Sequence, residues 1–595
     1  MDTEVRSGYF GADGLALFGH LHAPVGGSRN GRAVVLCPPY GHEYMSAHRT
    51  LRELAQRLAH AGCLCLRMDY LGMGDSADRD AAGALADLST WPRSVVQAIE
   101  HLKAITGVGS VTLVGVRLGA AAATLAAQGR DDVEALVAWA PVVRGRAFLR
   151  ECKALGMATL ARTGLTAGPD DGAVQTGGFR LSSADVGFLT GLDLTALSHV
   201  PAPKVLLLAR SGSAVDQAWQ TNMQQLGAQV SSSEAHGLDE MMQVPHFSVV
   251  PDDALSAILA WLAALSPRSA EWRATPAHPW LRPRAELCHD GVHEHVVDIP
   301  SAAPLSAVLA LPHHSEPRPH VAVLMINAGA EHRIGTNRLY VPWARTWASR
   351  GWAALRLDLS GLGNSPARAG QPVNSVHIRH VAEDIRAAMA HLQQHHGILE
   401  FHLVGLCSGG FHALMVAMEG VPLRSITPIN QMVFFWQEHM PLLGAAPDAV
   451  AMHVVRGVGR SIRDPQRWLK LLRGQVHVGV IAGAMGRRLG QHGRSIARKL
   501  GRTLRLTLRD DLHSAVLQLA QRGVLVHWVF SDGEPGLAMV REQAGEVVER
   551  LVEAGKLRVS VLKQTDHTFT QAAAQKRLFD VVDSGFVLAR QGGYR

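Results

Sequence analysis

Apolar positions along this chain fall into two kinds of run. Short unbroken runs occupy 32–37, 63–69 and 110–114, and again 321–326, 352–358 and 401–404. Longer segments between them have helical spacing. In 50–61, Leu51, Leu54, Leu58 and Ala61 share one stripe, and 91–105, 341–349 and 381–392 are similar. An unbroken apolar strand is buried on both faces, and strands alternating with helices build a parallel sheet covered on either side. The pattern predicts an α/β protein that takes up ligands at the carboxyl ends of its strands.

The order of elements occurs twice. Arg67-Met68-Asp69-Tyr70-Leu71-Gly72-Met73-Gly74-Asp75-Ser76 matches Arg356-Leu357-Asp358-Leu359-Ser360-Gly361-Leu362-Gly363-Asn364-Ser365 at an offset of 289 residues. Val114-Gly115-Val116-Arg117-Leu118-Gly119 matches Val404-Gly405-Leu406-Cys407-Ser408-Gly409 at 290, and His48-Arg49 matches Asn337-Arg338 at 289. The run from Leu21 to Pro24 matches Leu309 to Pro312 at 288. So long a period is no solenoid repeat but two copies of a whole domain. The first spans 1–265 and ends in an apolar helix at 254–265. A stretch rich in Pro, Arg and Trp without apolar period marks a linker at 266–285, and the second copy spans 286–595.

With 595 residues, 47% hydrophobic and 18% charged, the chain can fill two cores. A formal charge of +7 is modest at this length and indicates no nucleic-acid partner. The six cysteines are sparse, show no metal-ligand pairing, and in Cys63-x-Cys65 read as buried thiols. No phosphate loop or dinucleotide fingerprint stands out, so neither metal nor cofactor is expected. Residues 1–6 lack the apolar core of a signal peptide, and no apolar run reaches about 18 residues. A reducing cytoplasm is the expected compartment.

The candidate chemistry centres on Gly405-Leu406-Cys407-Ser408-Gly409, between an apolar strand and a helix-compatible run at 411–418. Glycines on either side permit a turn sharp enough to lift the middle residue above the sheet, at a helix N-terminus that favours a thiolate and an oxyanion. The same turn recurs at 115–119 with Arg117 in the middle. A guanidinium cannot serve as an acyl nucleophile.

The elbow, the Arg-x-Asp-x-x-Gly-x-Gly-x-Ser loop and a late Asp566-His567-Thr568-Phe569 turn resemble the α/β-hydrolase superfamily. Each half looks like the serine-aminopeptidase-type hydrolases and the paired hydrolases associated with bacterial exosortase systems. The resemblance implies two tandem α/β-hydrolase domains, each a mostly parallel sheet flanked by helices with a cap insertion. It also implies the triad order nucleophile, acid, histidine. Cys407 is then the nucleophile, with Ser408 beside it as a rival. Asp532, past the strand at 523–530, is the first choice for the acid and Glu534 the alternative; His567 is the base. Oxyanion donors are expected at Ser408 and in the loop of Gly329 and Ala330. In the first copy Arg117, Asp216 and His246 mark a degenerate site without acyl chemistry. There Arg117 either binds an anion or pairs with a buried acid such as Asp216 or Glu43.

Cysteine bears on the reaction. An acyl-cysteine is a thioester, so loading it from another thioester is near thermoneutral, and it reacts readily with amines and thiols. That favours thioesterase-like hydrolysis or acyl transfer on a thioester or ester, and the alternative is a non-catalytic binding or scaffold protein built from two degenerate folds. The cap, about 432–520, is larger than its counterpart: Cys407 to Asp532 spans 125 residues, Arg117 to Asp216 only 99. Between 456 and 510 it carries fourteen Lys or Arg and two acids, with apolar residues interspersed. Such basic amphipathic segments suit a solvated face, an acidic acyl carrier protein, coenzyme A, or peripheral contact with an anionic membrane. Phe434-Phe435-Trp436 offers an acyl-chain wall or ordinary core. The oligomeric state is left open.

Overall fold

A computed structural model describes residues 3–11, 16–24, 30–79, 83–168, 171–265, 286–289, 291–313, 319–436 and 510–592. The linker at 266–285 and the basic part of the cap, 437–509, lie outside the described residues.

The first sheet has eight strands: β1 (Thr3–Phe10), β2 (Leu17–Pro24), β3 (Ala33–Cys37), β4 (Leu64–Met68), β5 (Val111–Val116), β6 (Val133–Trp139), β7 (Lys204–Ala209) and β8 (Gln229–Glu234), ordered β1-β2-β4-β3-β5-β6-β7-β8. The second has nine: β9 (Glu286–His289), β10 (Val292–Ile299), β11 (Leu305–Pro312), β12 (Val321–Ile326), β13 (Ala353–Leu357), β14 (Glu400–Leu406), β15 (Ser425–Ile429), β16 (Leu525–Ser531) and β17 (Leu557–Leu562). Their order is β9-β10-β11-β13-β12-β14-β15-β16-β17, so apart from the added edge strand β9 the two topologies coincide. Only the leading strands are antiparallel; from β4 and β13 onward all pairs are parallel. Every residue of β3, β4, β5 and β12 is buried, which is why those strands read as unbroken apolar runs. Helix Leu512–Gln521, expected at the end of the cap, buries Leu512, Val516 and Leu519 in the domain core, so the insertion ends before it. Phe434 is likewise core, edge-on to Trp528, while Trp436 stacks on His377.

The first helix begins ten residues earlier than its apolar stripe announces, at Gly41–His60. Part of its leading turns packs against the other domain: His48 stacks on His332 at 4.0 Å and Tyr44 packs edge-on against the same ring. The repeated Gly-x-Gly loops meet here in a pseudo-twofold arrangement. Arg338 Nε donates to the Gly74 carbonyl at 2.7 Å, and Arg52 Nη1 donates to the equivalent carbonyl of Gly363. Arg356 Nη1 donates to Asp75 Oδ1 at 2.5 Å, and its counterpart Arg67 donates to Asn364. Around this pair lies a buried charge cluster. Arg333 pairs with Asp75 at 2.8 Å and with Asp358 at 3.2 Å, Glu294 accepts from Arg345 and Arg356, and Asp78 from Arg338 and Arg345.

Breaking one partner out of a buried ion-pair cluster leaves the others uncompensated, which costs about 3–5 kcal/mol. Asp75→Ala should therefore lower the free energy of unfolding by that order, measured by urea denaturation. Burial works to raise the Asp75 pKa, yet Arg333 and Arg356 hold it down from 3.8 to about 2. A depressed carboxylate contributes stability above its unfolded pKa and loses it as pH falls through the folded one. The wild type should thus lose stability between pH 3.8 and about 2, and Asp75→Asn should lack this component.

Candidate active site

Two turns of nearly the same backbone geometry end the central strands. Arg117 has φ 54° and ψ −119° before helix Leu118–Ala127; Cys407 has φ 57° and ψ −112° before helix Ser408–Met418. A non-glycine residue in this region costs about 1–3 kcal/mol, so its surroundings must hold it there. The flanking glycines allow the required approach. A Cβ on Gly405 would lie 2.2 Å from the carbonyl carbon of Gly409, and one on Gly409 would lie 2.7 Å from the Asn327 carbonyl oxygen.

The turn presents Cys407 at the carboxyl edge of the sheet. Cys37, Cys63, Cys65 and Cys152 are fully buried, whereas Cys407 is partly accessible. His567 arrives from the loop after β17. Its Nδ1 lies 3.2 Å from Glu534 Oε2, and its buried Nε2 has no hydrogen-bond partner among the described residues. Burial opposes a charged imidazole here, but the neighbouring Cys407 sulfur and the Glu534 carboxylate outweigh it and hold the His567 pKa well above the ordinary range. Cysteine, imidazole and carboxylate thus come together.

The carboxylate beside His567 is that of Glu534, the alternative acid, and among the described residues no hydrogen bond or ion pair joins the ring to Asp532, the first choice. The Asp532 N–H continues the sheet by donating to Leu562 O at 2.8 Å, and its side chain is exposed. Gly533, at φ 84°, then turns the chain, so that Glu534 caps helix Pro535–Glu553 on the His567 side. Ser408 is buried, and its Oγ accepts the Gly329 N–H at 2.8 Å. That places the expected oxyanion loop against the elbow, with the Gly329 donor occupied at rest by the Ser408 hydroxyl. Ala330 faces a cavity at the domain junction.

Several supporting residues carry no motif. Asn430, at φ 45°, donates to the His567 carbonyl at 2.8 Å and to Ser531 Oγ at 3.0 Å, fixing the histidine loop; its positive φ has no signature in the sequence. Asn337 donates to Thr568 O at 2.6 Å. Asn327 donates to Asp358 Oδ1 at 2.9 Å and to Glu331 O at 2.8 Å, which ties the loop of Gly329 to the interdomain charge cluster. Burial pushes the Glu331 carboxyl up to about 7, and the charge of His567 pulls the other way.

In the first domain the elbow is filled. Arg117 Nε donates to Glu43 at 2.9 Å and Nη2 to Glu151 at 2.5 Å, so of the two expected acids Glu43 is its partner and Asp216 is not. Asp216 is buried against Arg210, accepting from its backbone N–H at 2.9 Å and its guanidinium at 3.3 Å. His246 joins neither. Its Nδ1 lies 3.6 Å from where a Cβ on Gly329 would begin, and Asn374 donates to the adjoining Pro245 carbonyl at 3.1 Å. Residues 245–246 of the first domain therefore pack against the second domain's loop at Gly329. Among the described residues no group of three or more His, Cys, Asp or Glu could hold a metal ion, and no helix is long and apolar enough to cross a membrane.

Since the sulfur raises the imidazole pKa, Cys407→Ala should lower the pKa of His567, read from the pH titration of its ring resonances. An unchanged titration would show that the two groups do not interact.

The model of the serine aminopeptidase (S33) family matches residues 31–175, and that of the alpha/beta hydrolase fold matches 321–451. A search among curated proteins finds no match. Solved structures similar to part of this chain include Est1E from Butyrivibrio proteoclasticus with bound ferulic acid (18% identity, 43% of this chain and 99% of that one, TM-score 0.32). Others are the alpha/beta hydrolase GrgF from Penicillium sp. sh18 (16%, 44% and 100%, 0.30) and an alpha-beta serine hydrolase homologue from Coxiella burnetii (12%, 49% and 96%, 0.27). With the strand order of both sheets and a family match in each half, the chain is a tandem of two α/β-hydrolase domains.

Proposed function

We propose that the second domain is an acyl hydrolase or acyltransferase, thioesterase-like, that works through an acyl-Cys407 intermediate on a thioester or ester. The observation that supports it is a partly accessible cysteine on a positive-φ elbow, facing an imidazole that a carboxylate braces. His567 takes the Cys407 proton and the sulfur attacks the substrate carbonyl carbon. As the tetrahedral intermediate collapses, the leaving thiol or alcohol departs with the proton from His567. Water, or an amine, alcohol or thiol acceptor, then gives a proton to His567 and attacks the thioester, and the sulfur leaves. Glu534 fixes the tautomer and stabilises the imidazolium. The oxyanion draws on the Ser408 backbone N–H and on Gly329, where it displaces the Ser408 hydroxyl.

The first domain is, in this reading, catalytically silent. Arg117 stands where the nucleophile would be and is locked between Glu43 and Glu151 rather than held out to a ligand. Its contribution is structural support and the His246 wall.

Turnover of an acyl thioester tests the assignment. Cys407→Ala should lose about a thousandfold or more in kcat, and Glu534→Gln about a hundredfold or more, as removal of triad members does elsewhere. Asp532→Asn, on an exposed side chain, should stay within about twofold. Ser408→Ala keeps the backbone donor and should lose less than about tenfold. Full activity in Cys407→Ala with loss in Ser408→Ala would transfer the nucleophile to serine.

A further inference from the structure

Helix Gly145–Thr163 of the first domain begins as an ordinary surface helix, with Gly145, Phe148, Leu149 and Cys152 buried against the domain. Beyond Cys152 none of its residues is buried, so the second half projects. One side of it touches the neighbouring hairpin, where Gly156 rests on the Gln175 carbonyl. The solvent side of this half is apolar. Arg150, Ala154, Met157 and Ala161 recur at i, i+4, i+7 and i+11, opposite the buried positions, and all four are exposed. Met157 is 70% exposed, and Leu155, round the same turn, 37%. A surface helix ordinarily turns its polar residues to water, yet no charged residue stands between Lys153 and Arg162. Cations bound the stripe. Arg150, Lys153 and Arg162 make no ion pair with another described residue. The described acids nearby are already engaged, Glu151 by Arg117 and Arg210, and Asp171 by Arg180.

We infer that this helix half docks the protein on an anionic lipid surface, its apolar stripe entering the headgroup boundary and Arg150, Lys153 and Arg162 lying against the phosphates. Apolar side chains on one face with unpaired cations beside them are what an interfacial helix needs: burial and electrostatic attraction act together on the same surface. Charge decides against two other occupants. A second copy would bring the same three cations face to face, and the segment 456–510, with fourteen Lys or Arg and two acids, is of like sign. The stripe is also the convex back of a single helix, a shape that a fluid lipid surface accepts. The helix end is tied to the second domain, since Gln571, four residues past His567, donates to the Thr166 carbonyl at 2.9 Å. A surface reached by the helix therefore lies beside the domain that carries Cys407. The inference is independent of the acyl-Cys407 reading.

Co-sedimentation of the full-length chain with vesicles tests it, using phosphatidylcholine with about 30% phosphatidylserine and phosphatidylcholine alone. The chain should pellet with the first and far less with the second, and binding should weaken as salt rises. Met157→Asp should weaken binding to the anionic vesicles at least about tenfold, and so should the triple variant Arg150→Gln, Lys153→Gln, Arg162→Gln, which should also flatten the salt dependence. These side chains are exposed, so both variants should keep the wild-type melting temperature. A lower melting temperature in Met157→Asp would show the stripe covered within the fold and would overturn the inference. Absence of binding, or equal binding to both vesicles, would overturn it as well. Binding of Met157→Asp at wild-type strength would also do so, placing the contact elsewhere, for example on residues 456–510. Sedimentation velocity without lipid judges the remaining occupant: a dimer that Met157→Asp dissolves would assign the stripe to a second copy and contradict lipid docking.

Discussion

The buried ion pairs that join Asp75 to Arg333, and Arg333 to Asp358, hold the molecule together in a particular sense. Charges fully removed from water persist only with partners in good geometry, and here the partners come from both domains. From Asp358 the chain of contacts continues to Asn327, and Asn327 braces the loop that carries Gly329. A carboxylate of the first domain thus stands three contacts from Asn327, two residues before Gly329 in the second. Neither half keeps this arrangement alone: without the first domain, Arg333 and Arg356 are buried cations that have lost an acid.

That dependence gives the hydrolase fold of the first copy a structural role. Its elbow keeps the strained backbone of the second, but the side chain there is a guanidinium closed off by two glutamates. Its Gly-x-Gly loop has become half of a pseudo-symmetric joint, and its histidine loop reaches the partner's oxyanion loop instead of its own elbow. Duplication of a domain leaves a surface already complementary to its copy, since an isologous contact uses the same patch on both sides. Once fused, such a surface is free to become a wall of the remaining site.

The parallel cores, the two elbows and the order of cysteine and histidine were legible in the sequence because each depends on local pattern: unbroken apolar runs, a glycine-flanked centre, a late histidine turn. The acid was not, because Asp532 and Glu534 both follow β16 and only the turn at Gly533 decides which one faces His567. Helix Gly41–His60 looked shorter than it is because its first turns bury polar groups against the other domain, so no apolar stripe marks them. The place of His246 and the pairing of Arg117 with Glu151 were hidden as well. Each arises from contacts between residues distant in the chain, and charge pattern along a sequence does not reveal pairing across an interface.

The central chemical claim is a thioester between substrate acyl group and Cys407. Its most direct measurement is the intact mass of the full-length chain after rapid mixing with an acyl thioester and acid quench, followed by peptide mapping. A single added acyl mass on the peptide containing Cys407, absent in Cys407→Ala and accumulating in Glu534→Gln if deacylation slows most, is the expected result. An acyl group on Ser408, or turnover with no acylated peptide and undiminished in Cys407→Ala, would contradict it.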